Sequence, residues 1–257
     1  MRAIILCAGK GTRLKPWTNF KPKPLFKVNN IPLVENNISF LLKNNINDIV
    51  IVTGYMNDEF NYLTKKYSNI NIIINKDYNK YNNYYSLLLA QKYFDDDILI
   101  LSGDIYIKDN FLISKYLYDK SIVFSHKNIT NSIEYEVLFN SNNKKLINID
   151  INSKNGYCMN NITFLKKEIL PSFLEELNNV TDCNEYYEDV LTRLIYKHDI
   201  FVETIDNDIV IEIDSIKDAF KMGLITKMRA IHQLLCNMMK YYYKKVFNKF
   251  TNNQKKL

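Results

Sequence analysis

The chain has 257 residues, 47% of them apolar and 24% charged, globular values that exclude a disordered or collagen-like polymer. No apolar run approaches the roughly 18 residues a bilayer span requires, which argues against an integral membrane protein. Its four cysteines, Cys7, Cys158, Cys183 and Cys236, lie scattered without a CxxC pair, as suits reduced thiols in a cytosol. The net charge of +6 is uneven: residues 219–257 hold nine Lys/Arg and no acid, leaving 25 basic against 28 acidic residues in 1–218. The basic character belongs to the tail, not the body.

Short apolar runs alternate with amphipathic stretches, the pattern of an α/β fold with a mixed, mostly parallel central sheet flanked by helices. Residues 2–7 read as a buried first strand, bounded by glycine. After a Gly/Lys/Pro-rich segment, Leu33, Asn37, Phe40, Leu41 and Asn44 mark a helix over 33–44. Residues 48–53 (DIVIVT) predict a second strand, 57–67 a helix, and 70–75 (INIIIN) a third strand. A polar Tyr/Asn-rich loop over 76–84 precedes a helix over 85–93 and a strand over 97–102 that ends in Gly103-Asp104.

Beyond residue 120 the pattern changes to hairpin-like strands at 121–126, 133–139 and 144–151, then a strand at 157–164. Helices near 166–177 and 185–197, strands at 201–205 and 209–213 and a helix from Ser215 complete the body. The expected layout is one unit over 1–220, with a nucleotide-binding half (1–120) and an acceptor-binding half (121–220) in one sheet. Residues 221–257 form a basic helical tail.

The most informative segment is Leu6-Cys7-Ala8-Gly9-Lys10-Gly11-Thr12-Arg13-Leu14, directly after the first strand. Glycines there let the backbone curl round an anion with its N–H groups inward, and Lys10 and Arg13 add charge suited to a polyphosphate. A Walker A loop would need Ser or Thr after Lys10, and a dinucleotide fingerprint a small residue where Leu14 stands. Just downstream, Lys21-Pro22-Lys23-Pro24-Leu25 fixes lysines in a proline-stiffened stretch. Two carboxylates, Asp104 and Asp214, close strands, and hard oxygens at two strand ends suit Mg²⁺. A helix N-cap is the structural alternative for Asp214.

Together, L-x-A-G-x-G-x-R-L followed by P-K-P-L resembles the nucleotidyltransferases that make nucleoside-diphosphate sugars and cytidine-diphospho alcohols. Residues 48–55, 75–78, 81–87 and 89–91 narrow the likeness to the bacterial CTP:phosphocholine cytidylyltransferases and the similar phosphonate enzymes, over about residues 1–220. The resemblance implies a Rossmann-like nucleotidyltransferase fold and a CTP-dependent transferase. Attack by a substrate phosphate on the α-phosphorus would release pyrophosphate, with no protein nucleophile. It also implies that Gly9, Lys10, Gly11 and Thr12 hold the β- and γ-phosphates, and that Arg13 neutralises the leaving group. Lys23 would reach the α-phosphate, and Asp104 and Asp214 would bind Mg²⁺. Base and sugar would lie against Leu6, Ala8, Asn83 and Ser86, with Gly54 leaving room for close backbone approach.

For the acceptor, Glu134 and Tyr135 on one strand and Tyr187 and Asp189 on a later helix supply the aromatic faces and acids that bind an alkylammonium group. Tyr135 stands where the phosphocholine enzymes carry tryptophan, so choline and a primary amine such as phosphoethanolamine or aminoethylphosphonate both stay open. The rival readings are a sugar-1-phosphate nucleotidylyltransferase and a catalytically silent nucleotide-sensing or membrane-docking protein. In the tail, Leu224, Met228, Ile231, Leu235, Met238 and Tyr242 form one apolar helical seam, with lysines and aromatics beyond it. That pattern suits packing, self-association or peripheral contact with an anionic membrane, whereas a non-basic body argues against nucleic acid. A cytoplasmic enzyme, peripheral at most, is expected.

Overall fold

A nine-stranded mixed sheet carries the fold, and its central strand is the apolar run that opens the chain. The computed structural model describes residues 1–15, 17–116, 119–127, 134–151, 156–213 and 218. The first half contributes β1 (Arg2–Cys7), the short pair β2 (Lys27–Val28) and β3 (Ile31–Pro32), α1 (Leu33–Lys43), β4 (Asp48–Thr53) and α2 (Tyr62–Lys66). It continues with β5 (Ile70–Ile74), α3 (Asn83–Leu89), β6 (Ile98–Ser102) and β7 (Ile105–Ile107). The second half adds β8 (Ser121–Lys127), β9 (Tyr135–Phe139), β10 (Leu146–Ile151) and β11 (Tyr157–Leu165). After these come α4 (Leu170–Asn178), α5 (Tyr187–Leu194), β12 (Ile200–Thr204) and β13 (Val210–Glu212).

The strand order is β10-β9-β11-β6-β1-β4-β5, with β8 on β11 and β12 on β8. Pairing is parallel from β6 through β1 and β4 to β5, and antiparallel where β11 joins β6. Covered on both faces, β1 and β4 need no polar alternation: Ala3, Ile4, Ile5, Ile49, Val50, Ile51 and Val52 are fully buried. Each buried Ile or Val is worth about 1.5–3 kcal/mol of transfer free energy. One face packs on α1 and α2, the other on α3, α4 and α5.

Buried amides on α1 lock the strand ends that matter later. Asn36 donates to Ile107 O (3.0 Å) and accepts from Ile107 N (2.8 Å). Asn37 donates to Ser102 O at 3.1 Å. The helix therefore fixes the turn between β6 and β7, the turn that carries Asp104.

Four expectations need correction. Residues 57–67 make not one helix but a 3₁₀ turn (Asn57–Phe60) and the short α2, because Met56 is left-handed (φ 50°) and only Phe60 and Leu63 reach the core. The helix expected at 85 starts at Asn83, where the Asn82 side chain accepts the Asn83 N–H (2.8 Å), and it ends before Ala90. Strand β7 is new; three residues are too few to show a period. Of the hairpin-like strands only β9 and β10 form a hairpin, while β8 lies between β11 and β12. The helix from Ser215 and the tail helix lie outside the described residues. Among the described residues no helix is long and apolar enough to cross a membrane.

At Gly54, just past β4, an added Cβ would stand 2.8 Å from Tyr78 Cβ, 2.9 Å from Ala8 O and 3.0 Å from Ala8 Cβ. Backbone cannot yield there as a side-chain end can. Gly54→Ala should therefore destabilise the fold by about 2 kcal/mol or more, read as a lowered urea midpoint with an unchanged slope.

Candidate active site

At the carboxyl ends of β1, β4 and β6 the chain leaves the sheet in three turns, and between them and α3, α5 and β11 lies a cleft of about 320 Å³. Open α/β sheets hold ligands at this edge. Gly103 N donates to Leu6 O (2.9 Å) and Tyr55 N to Ala8 O (3.0 Å), tying the three strand ends together.

The glycine loop follows β1. Gly11 has φ +58°, and a Cβ there would approach Thr18 Cγ2 to 3.1 Å and Lys23 Cβ to 3.2 Å, so both conformation and space demand glycine. Thr18 fastens the loop by donating to Gly11 O at 3.1 Å, and Tyr55 donates in turn to Thr18 O at 2.8 Å. Gly9 differs. An added Cβ there would meet no protein atom within 4 Å, so its open side faces the cleft it lines.

Lys23 starts a 3₁₀ turn behind Pro22, whose φ of −60° sets the approach of the chain. Only 6% of its side chain is exposed, and its Nζ donates to Asp104 Oδ2 at 2.7 Å, with Glu212 Oε1 at 3.9 Å. Ser102 Oγ donates to the other Asp104 oxygen at 2.6 Å. Burial disfavours the Asp104 anion, but Lys23 and then Ser102 outweigh it and hold the carboxyl below its ordinary range. Glu212 on β13 also accepts from Asn161 Nδ2 at 3.0 Å. Asn161 has φ +63° where the β11–β8 register breaks, a bulge that sets it among the cleft residues.

Among the described residues no group of three His, Cys, Asp or Glu is placed to hold a metal by itself. The donor set nonetheless suits Mg²⁺, because two carboxylates converge on one cation, the Lys23 ammonium. Mg²⁺ commonly takes one or two carboxylates and completes its shell with water and substrate phosphates.

The structure gathers Leu6, Ala8, Gly9, Gly11, Thr12, Arg13, Lys23, Asn83, Ser86, Asp104 and Tyr187 round this one cleft. Five candidates fall outside its lining: Lys10, Gly54, Glu134, Tyr135 and Asp189. Lys10 is exposed, its ammonium 5.9 Å from the centre of the Tyr78 ring. Gly54 permits the close backbone approach expected of it, to Ala8 and Tyr78, from outside the cleft lining. Glu134 lies beside Cys158, whose thiol burial and then Glu134 push up to about 12. Asp214 lies outside the described residues.

The acceptor-side residues sort differently from expectation. Asp189 accepts the Tyr186 N–H (2.8 Å) at the start of α5 and the Tyr135 hydroxyl (2.8 Å), so it caps a helix and lines no wall. Tyr187 is 3% exposed, with its hydroxyl 3.3 Å from Thr163 Oγ1, and belongs to the core. Tyr187 touches the cleft from that core position, and its neighbours Tyr186 and Glu188 line it too, as do Asn75, Tyr78, Tyr81 and Asn161. Tyr186 is 42% exposed, and its ring meets that of Tyr135 edge-on at 5.8 Å. A capping reading of Tyr-Tyr-Glu-Asp would have found this, since Asp at the third helical position leaves Tyr186 outside the helix. No sequence signal marks Asn161.

Asn83 couples the two halves. Its Oδ1 accepts the Tyr187 N–H (2.8 Å) and its Nδ2 donates to Glu188 Oε2 (3.1 Å). Both ends of its amide are thus engaged on α5. Burial dominates Glu188 and lifts its carboxyl to about 7, with the Asn83 bond opposing and Asp189 assisting. Because the folded value lies above the unfolded one, stability from the neutral acid is fully present at low pH and is lost as pH rises through about 7. Glu188→Gln should match the parent only below the ordinary glutamate value of 4.5 and exceed it increasingly from there to about 7, by on the order of 1–3 kcal/mol at neutrality and above, in unfolding curves taken across pH.

A glycine loop, a buried lysine and a strand-end aspartate at the switch edge of an α/β sheet define a site for nucleotidyl transfer. Residues 2–146 match the family model described as "Nucleotidyl transferase", and the chain belongs to that family and is an enzyme. The choline-phosphate cytidylyltransferase of Streptococcus pneumoniae is 31% identical over 231 residues, spanning 88% of this chain and 99% of that protein. The choline-phosphate cytidylyltransferase of Haemophilus influenzae is 33% identical over 85% of this chain and 94% of its own. The 2-aminoethylphosphonate cytidylyltransferase of Lancefieldella rimae is 26% identical over 89% and 95%. The solved structure of the S. pneumoniae CTP:phosphocholine cytidylyltransferase superposes with a TM-score of 0.79 at 30% identity, covering 86% of this chain and 96% of that one.

Proposed function

We propose that the chain transfers CMP from CTP to phosphocholine or a closely similar amine-bearing phosphate, releasing pyrophosphate. The observation that carries this reading is the Lys23 ammonium held against Asp104 within the cleft lined by the glycine loop. The two choline-phosphate cytidylyltransferases that align over most of the chain supply the nucleotide and the acceptor class.

The chain's own groups do the following. Backbone N–H groups of residues 9–12 bind the β- and γ-phosphates, and Arg13 neutralises the departing pyrophosphate. Lys23 binds the α-phosphate oxygens, whose charge grows as the acceptor oxygen attacks. Asp104, with Asp214, would hold Mg²⁺, which would neutralise phosphate charge. Base and sugar lie against Leu6, Ala8 and Ser86. Tyr186 presents its face, and Glu188 its charge, to the acceptor's cationic end. The aminoethylphosphonate relative supports a primary amine as the second acceptor reading. Residues 1–220 form the catalytic unit of a cytoplasmic enzyme. The basic tail 221–257 serves self-association or peripheral membrane contact, and nucleic acid has no part.

Pyrophosphate release with Mg²⁺ tests this directly, using each of the four nucleoside triphosphates against phosphocholine, phosphoethanolamine, aminoethylphosphonate and glucose-1-phosphate. Turnover with CTP and an amine-bearing acceptor is the expected outcome; turnover with the sugar phosphate alone would overturn the reading. Lys23→Ala and Asp104→Ala should each lower kcat by about 10²–10³ while leaving the circular dichroism spectrum unchanged.

A further inference from the structure

The cleft contains a polar pair of which only one member, Ser86, has a role above. Asn75 follows β5, is 1% exposed, and lines the cleft opposite α3. Its Oδ1 accepts the backbone N–H of Asp77 at 2.9 Å. A backbone N–H can only donate, so this bond fixes which end of the amide is oxygen. The Nδ2 end must then face Ser86, and it donates to Ser86 Oγ at 3.1 Å.

That geometry leaves Ser86 one choice. Its oxygen is already an acceptor, so its single proton has to point elsewhere. Serines within helices often return that proton to a carbonyl one turn back, but here the Asn75 bond is the only one Ser86 makes among the described residues. Ser86 is 2% exposed and lines the cleft, so its hydroxyl proton is a buried donor without a partner among the described residues. A buried donor left unpaired costs about 1–3 kcal/mol, and a ligand acceptor removes that cost.

We infer that Asn75 is a positioning residue for nucleotide choice: it locks Ser86 as a hydrogen-bond donor towards the base and so selects an acceptor at the pyrimidine N3. Cytosine carries a bare N3 there, whereas uracil carries N3–H, which would face the Ser86 proton donor to donor. The inference rests on the proposed CTP-dependent reading and adds the polarity that separates CTP from UTP. It also explains the strand-end asparagine. Glutamine, aspartate or serine at 75 would either miss the Asp77 N–H or leave the Ser86 proton free to turn inward.

The test is the ratio of kcat/KM for CTP to that for UTP, measured on the full chain with whichever acceptor the parent enzyme turns over. Asn75→Asp keeps the shape and the bond from Asp77, but when ionised it can only accept. Ser86 would then donate to residue 75 and present its lone pairs to the base. The CTP:UTP ratio should fall about tenfold or more, with the loss growing as pH rises and the new carboxyl ionises. The melting temperature reports folding independently. In Ser86→Ala the ratio should fall as well, and adding Asn75→Asp to that background should not lower it further.

A folded Asn75→Asp with an unchanged ratio at alkaline pH would overturn the inference. So would an unchanged ratio in Ser86→Ala, a measurement that stands even if the Asn75 variant fails to fold. Failure of the underlying reading looks different, because the parent enzyme itself would then show no CTP turnover with any amine-bearing acceptor.

Discussion

Everything at the cleft depends on keeping one lysine charged where water hardly reaches. An ammonium with 6% of its side chain exposed is costly unless a carboxylate meets it closely. Asp104, at 2.7 Å, does so from a turn whose two flanking strands are pinned by Asn36 and Asn37. Asp104 is itself committed on both oxygens, to Lys23 and to Ser102. The pair thus joins the proline-fixed segment before α1 to the sheet edge. It also sets a buried positive charge beside fixed oxygens. A phosphate that engages Lys23 leaves Asp104 short of a cation, the situation in which a carboxylate takes a metal ion. On the proposed reading, one ion pair would thereby link polyphosphate binding to metal binding.

Around that pair the precision comes from asparagines more than from charges. Asn36 and Asn37 hold the β6–β7 turn, Asn75 holds Ser86, and Asn83 holds α5. Buried amides suit this work, because each donates and accepts in fixed directions and carries no net charge to be neutralised. Asn83 connects α3 to the start of α5, through Tyr187 N–H and the Glu188 carboxylate; on the proposed reading these are the nucleotide and acceptor sides. A change at either end of that amide would be felt in both substrate sites.

The sheet was legible because its signal is long and redundant. Residues 2–7 and 48–53 were expected as strands and are β1 and β4 to the residue, since fully buried parallel strands read as unbroken apolar runs. The glycine loop, Lys23 and Asp104 stood out because close backbone approach, fixed direction and strand-end placement each demand a particular residue type. What stayed hidden depends on direction rather than composition. In Tyr186-Tyr187-Glu188-Asp189 the types were right, but which of them lines the cleft follows from where α5 begins, and Asp189 decides that by capping it. Gly54 was legible as necessary but not why, because its neighbour Tyr78 is brought to it only by the tertiary fold. Asn161 depends on a register break, which a single strand's sequence does not announce.

The acceptor wall follows from the same logic of commitments. Tyr135 cannot act as a free cage aromatic, because its hydroxyl is spent on Asp189 and its ring abuts Tyr186 edge-on. It works as a buttress that orients Tyr186. A tryptophan at that position would offer a larger face but would not place a phenolic hydroxyl on the capping carboxylate. Here the exposed face is that of Tyr186, and the acid that lines the cleft is Glu188, not Asp189. Glu188 sits near neutrality in its protonation and is held on one oxygen by Asn83. A cationic acceptor arriving beside it would favour the anion and draw its value down. On the proposed reading, the charge that recognises the acceptor would thus be completed by the acceptor itself, on a carboxyl held by the same asparagine that ties α5 to α3.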